Sequence, residues 1–174
     1  MARTYTHREA RLLTEWAVRE FPGAELRFRV QLGAYDPSLD DSDLSQRELR
    51  ALGVWRRFVD LLVVEPGRIH LVEAKLRGEP GALEQLDLYA RLVPLTPELA
   101  PYRERPIVRH LVWAIRDPVI EAIARERGIV VHLFSPPWVD EYFTGLAARK
   151  RAQRKESGLL GAQGELLEPD PRDG

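Results

Sequence analysis

No cysteine occurs among the 174 residues of this chain. That excludes disulfide stapling and any thiolate-held metal, and it fits a cytoplasmic protein. Long apolar runs are missing as well. Nothing approaches the roughly 20 apolar residues of a membrane-spanning helix, and Met1-Ala2-Arg3-Thr4 opens no secretory leader. Nor does one sign of charge prevail: 26 basic against 27 acidic side chains leave a net charge of −1. No global field therefore draws the chain to nucleic acid, and any contact with DNA has to come from local patches. Internal repeats are absent. Lysine is scarce, because only three of the 26 basic residues are not arginine: Lys75, Lys150 and Lys155.

What is present describes a globular protein, with 44% hydrophobic and 30% charged residues and enough length for one domain with a core. We expect that domain over residues 1–156. From residue 157 to 174 Gly, Pro and acids prevail, which reads as a disordered tail. The chain is organised around residues 56–89. Two apolar runs, 58–64 and 69–75, flank the turn Glu65-Pro66-Gly67-Arg68, the pattern of an antiparallel hairpin. Strand side chains alternate faces, so Asp60, Leu62 and Val64 share one side, as do Leu71, Glu73 and Lys75. With Asp60 and Glu73 on the same side, two carboxylates and an ammonium converge at one end of an apolar hairpin. Buried unpaired, such charges are very costly, and a divalent metal held by the two carboxylates removes the cost. A plain salt bridge between Glu73 and Lys75 is the structural alternative. The choice of lysine bears on this: arginine is effectively always charged, whereas a lysine is a compact donor that can meet a water.

Gln85 and Tyr89 follow, one turn apart on a predicted helix. Together Asp60, Glu73-Ala74-Lys75 and Gln85-x-x-x-Tyr89 resemble the PD-(D/E)XK nuclease superfamily, and the trailing Gln and Tyr look most like its RecB-type exonuclease branch. The likeness covers roughly residues 9–131 as architecture; Val59, rather than proline, precedes Asp60. The resemblance implies an α/β fold with a restriction-endonuclease-like core, a mixed β-sheet of about five strands flanked by helices. It also implies a Mg²⁺ site, with Mn²⁺ as a substitute, made by Asp60, Glu73 and the Ala74 carbonyl. Lys75 positions a water, Gln85 and Tyr89 orient Lys75 or hold a phosphate, and an acid from the first helix, best matched by Glu9, joins the catalytic set.

Residues 7–21 read as that first helix, with Ala10, Leu13, Trp16, Ala17 and Phe21 as its apolar stripe. Here Glu9 has a second reading, because Thr6-x-x-Glu9 fits a capping box. A strand over 25–33 alternates Leu26, Phe28, Val30 and Leu32 with Arg27, Arg29 and Gln31. A solvated acidic loop over 34–44 follows, then a short helix capped by Ser45 and Glu48. Arg56 and Arg57 are candidate phosphate contacts and Trp55 a candidate stacking residue, with a core tryptophan beside solvated arginines as the plainer account. Pro80 opens the helix of Gln85, whose core stripe is Leu83, Leu86, Ala90 and Val93, and Pro94 stops it. After a Pro-rich loop over 94–106, strands over 108–114 and 129–134 bracket a helix capped by Asp117 and closed by Gly128. His70, His110 and His132 lie in strands without metal-ligand spacing and read as structural. A last helix, from Ser135 to about residue 155, carries the densest basic cluster. Its Arg149, Lys150 and Arg151 suit a DNA backbone, or simply a helix C-terminus.

The sequence thus points to a Mg²⁺-dependent DNA nuclease, with a catalytically silent scaffold or nucleic-acid-binding module of the same fold as the alternative. DNA is the expected partner, no membrane is, and monomer and homodimer both stay open. Exonuclease or endonuclease polarity is not encoded in these residues.

Overall fold

The structure, a computed structural model, describes the backbone of residues 3–33 and 57–164, with side chains over 7–33 and 57–154. The expected loop over 34–44, the helix capped by Ser45, Trp55 and Arg56 lie outside the described residues. The chain forms two compact units, Met1–Phe134 and Ser135–Gly174.

The first unit opens with α1 (Arg3–Glu20), which buries Leu12, Leu13, Trp16 and Ala17. Leu12 belongs to the apolar stripe where Ala10, which is exposed, was expected. Strands β1 (Glu25–Leu32), β2 (Arg57–Glu65) and β3 (Arg68–Arg77) follow, then α2 (Pro80–Leu92). The Pro-rich stretch after it is not featureless: it winds into two 3₁₀ turns, Val93–Leu95 and Pro97–Tyr102. Pro94, second in the one turn, and Pro97, first in the other, supply the φ that such turns need. β4 (Ile107–Ile115), α3 (Pro118–Glu126) and β5 (Val130–Leu133) complete the unit. Asp117 caps α3 as expected, its Oδ1 accepting the N–H groups of Val119 at 3.0 Å and Ile120 at 3.2 Å.

The strands lie side by side in the order β1-β2-β3-β4-β5. β1, β2 and β3 are antiparallel neighbours, whereas β3 with β4 and β4 with β5 are parallel. This is an α/β fold with a mixed five-stranded sheet flanked by helices. The parallel pairs require crossovers, and α2 and α3 supply them. Leu62, Leu71, Leu111 and Trp113 form the main core with Leu83, Leu86 and Tyr89 of α2. Most of these are fully buried, each contributing roughly 2 kcal/mol of transfer free energy. Where β3 ends, Gly78 admits a close approach: a Cβ there would stand 2.7 Å from the Cβ of Asp117. Only a residue without a side chain lets the end of β3 lie against the start of α3.

By alternation His70 and His110 face away from Leu71 and Leu111. They pack under α1, with Phe21 4.9 Å from His70 and Trp16 4.8 Å from His132, ring centre to ring centre. The three imidazoles form a row across β3, β4 and β5. His70 Nδ1 meets His110 Nε2 at 2.8 Å, and His110 Nδ1 meets His132 Nε2 at 2.9 Å. His70 Nε2 meets Glu65 at 2.9 Å.

The second unit is built on α4 (Pro137–Gly164). The sequence ends this helix near residue 155; it continues to Gly164, because Leu159, Leu160, Ala162 and Gln163 are good helix formers. The boundary expected after residue 156 falls inside it.

Candidate active site

The β2–β3 register pairs Leu62 with Leu71 and Leu61 with Val72. One step further, Asp60 comes opposite Glu73, and there the backbone ladder stops. The side chain takes its place: the Ala74 N–H donates to Asp60 Oδ2 at 3.1 Å. Lys75 lies two residues beyond Glu73 and so on the same side. Its Nζ donates to Glu73 Oε1 at 2.9 Å. Glu73 is 3% exposed, and its second oxygen, Oε2, is buried with no hydrogen-bond partner.

α1 brings the third acid. This helix begins at Arg3, so Thr6 lies inside it and not at its cap, and the capping-box reading of Glu9 falls away. The Glu9 carboxyl instead lies in reach of the Leu76 backbone N–H and in the field of Lys75 and Asp60. Like Glu73, it has one buried oxygen without a partner, Oε1. Tyr89, expected on the flank of the α2 stripe, is buried in the core and feels the charges of Glu73, Asp60, Lys75 and Arg57. Gln85, one turn earlier, is exposed. Arg57 is exposed at the start of β2, and Arg56 is outside the described residues. Arg149, Lys150 and Arg151 are exposed on α4, in the second unit.

Electrostatically the site is an acid cluster short of positive charge. Burial pushes the Glu73 carboxyl up to about 7, with repulsion from Asp60 adding and the Lys75 ammonium subtracting. Burial likewise lifts Glu9 to about 7, against the pull of Lys75 and the Leu76 amide. Asp60 is raised by burial too, with the Ala74 N–H, Lys75 and Arg29 opposing. Desolvation works to lower Lys75, but Glu73, by charge and by hydrogen bond, outweighs it and the net shift is upward. Tyr89 is raised by burial and by the same two carboxylates, and stays a neutral hydroxyl.

Three coupled carboxylates, two of them with a buried oxygen unpartnered, are hard donors of the kind that Mg²⁺ and Mn²⁺ take. Among the described residues no three Asp, Glu or His side chains form a closed ligand cluster by themselves. The donor set fits a hard divalent ion completed by a main-chain carbonyl, water and substrate. Sequence reasoning missed two neighbours. Arg29 has a positive φ of 52° on β1 and acts on the charge of Asp60. Phe58, two residues before Asp60, is 40% exposed. Alternation put Arg29 on the polar side of its strand, but nothing in its neighbours signals a left-handed backbone, which Gly or Asn would have done.

No protein-family model matches the chain, and no curated protein does. Among solved structures it is similar to the crystal structure of a repair endonuclease from Pyrococcus abyssi, at 15% identity and a TM-score of 0.46. The alignment covers 73% of this chain and 47% of that one, so the chain spans less than half of that protein's length. Among the described residues no helix is long and apolar enough to cross a membrane.

Proposed function

We propose that this chain is a Mg²⁺-dependent deoxyribonuclease with a PD-(D/E)XK-type site, hydrolysing phosphodiester bonds with an activated water. The observation that carries the reading is Glu73: one carboxylate oxygen is pinned by Lys75, and the other is buried and unpartnered in a cluster with Asp60 and Glu9. A salt bridge alone leaves that second oxygen unexplained.

In this reading Asp60, Glu73 and the Ala74 carbonyl hold the ion, with Glu9 as a further acid beside it. Bound there, Mg²⁺ polarises the scissile phosphate and lowers the pKa of the attacking water. The chain's own residues do the rest. Lys75, kept a cation by its acidic surroundings, acts by charge: it orients the water and offsets negative charge developing on the phosphate. Tyr89, held neutral, has a hydroxyl to donate, and Gln85 on the exposed side of the same helix is left for the substrate backbone. Arg57, with Arg56 before it, is the candidate phosphate contact nearest in sequence.

Incubation with linear, circular and branched DNA, with and without Mg²⁺, tests the proposal. Cleavage that needs the metal and disappears in Glu73→Gln is expected, and cutting of closed circles identifies an endonuclease. A wild type that takes up no Mg²⁺ or Mn²⁺ in calorimetry, even with DNA present, overturns it in favour of the catalytically silent scaffold.

A further inference from the structure

We infer that the sheet edge beside Asp60 is a subsite for an unpaired DNA strand, with Phe58 as the platform for one base and Arg29 as the contact to its phosphate. The DNA in this statement rests on the nuclease reading; the observations are separate from it.

Arg29 is the only non-glycine residue with positive φ among the described residues. L-residues with long side chains occupy that region at a cost, and such strain persists where something else requires the geometry. Its place is specific. β1 pairs with β2 on both sides of it, Phe28 with Leu61 and Val30 with Val59, and the missing rung is Arg29 against Asp60. The guanidinium carbon then stands 5.8 Å from the centre of the Phe58 ring. It is also near enough to Asp60 to favour the ionised carboxylate.

Phe58 precedes Asp60 by two residues, so it shares the carboxylate side, one pleat repeat or roughly 6.6 Å along the strand. The Phe58 ring is 40% exposed, with a cation above it and acids one repeat away. The cation matches a phosphate, and the flat ring matches the face of a base. In a duplex both faces of each base are covered by its neighbours. An unpaired base presents its π-face, and stacking on an aromatic is tolerant of sequence. Among the described strands β1 is an outer one, next to the strand of Phe58.

The test is binding without cleavage. A fluorescein-labelled 20-nucleotide oligo-dT and a labelled hairpin duplex are titrated in EDTA and followed by anisotropy. Phe58→Ala should weaken oligo-dT binding roughly 5- to 150-fold, the worth of one stacked base, and leave the duplex nearly unchanged. Phe58→Trp should bind oligo-dT at least as tightly as the wild type. Arg29→Gln should flatten the slope of log K against log salt by roughly 0.7, one phosphate contact on a single strand. Arg29→Gly, whose backbone accepts this φ, should melt no lower than the wild type and still lose the phosphate contact. Oligo-dT affinity unmoved in Phe58→Ala, duplex affinity falling in step with it, or no oligo-dT binding by the wild type would each overturn the subsite. The two readings fail separately. A wild type that cuts DNA with Mg²⁺ while both Phe58 variants bind normally loses the subsite alone. One that binds through Phe58 but never cuts loses only the nuclease.

Discussion

Replacing Lys75 by arginine keeps the charge and the reach to Glu73, and in this chain it is a return to the usual cation. If the ion pair at 2.9 Å is the whole purpose of the residue, Lys75→Arg should match the wild type in every assay. On the nuclease reading the variant should fold and bind metal but cleave roughly 100- to 1000-fold more slowly. A planar guanidinium cannot sit where a compact ammonium meets the water, and one lost transition-state donor costs that much. Single-turnover cleavage rates decide, and equal rates remove Lys75 from the mechanism. At this scale much was legible beforehand. Alternation sufficed to put Glu73 and Lys75 on one side of their strand, whereas Asp60 opposite Glu73 also needed the register of the hairpin. Glu9 could not be settled, since cap or cluster depends on where α1 starts, and frayed helix ends carry weak signals. Arg29 could not be found at all: no Gly or Asn marks a left-handed backbone at that position.

The row of histidines belongs to the scale of elements, for it exists only because β3, β4 and β5 are neighbours. No spacing along the chain announces it; lateral strand order had to be known first. Its hydrogen bonds have a direction. A Glu65 carboxylate accepts from His70 Nε2–H, which leaves His70 Nδ1 to accept from His110 and His110 Nδ1 to accept from His132. Burial, with His132 and His70 adding, holds the central His110 down to about 3, and burial lowers His132 against the pull of Glu20. A histidine with a depressed folded pKa takes up its proton on unfolding, so its contribution is whole above about 6.5 and drains away as pH falls toward 3. Between pH 7 and pH 4 the wild type should lose on the order of 3 kcal/mol relative to His110→Phe, measured by urea unfolding of both. The comparison matters because the raised carboxyls of Glu9 and Glu73 push in the other sense, favouring the folded state in acid. A gap between the two proteins that does not change with pH would mean that His110 accepts a proton in place.

For the whole molecule, a net charge of −1 conceals an uneven distribution, with Arg149, Lys150 and Arg151 adjacent and exposed on α4. If they follow a DNA backbone, changing all three to glutamine should leave the melting temperature in place and make the duplex salt slope shallower by roughly 1 to 3. Filter binding over a range of salt measures it, and an unchanged slope leaves these residues as solvated cations within α4, which runs on to Gly164. The α/β class was readable here too, since helical and strand periods alternate along the chain. The length of α4 was not, because its last turns depend on propensities too small to decide a boundary.

The strands occupy the sheet in the order in which they are synthesised. Each new strand therefore meets an edge already present, and nothing has to be threaded between earlier partners. The arrangement leaves β3 as an open edge on the nascent chain until Ile107–Ile115 has left the ribosome. During that interval its apolar run is a template for pairing with any other exposed strand. Charged residues within an edge are a common guard against such pairing. Glu73 and Lys75, set among Leu71, Val72, Ala74 and Leu76, place charges of that kind within this edge.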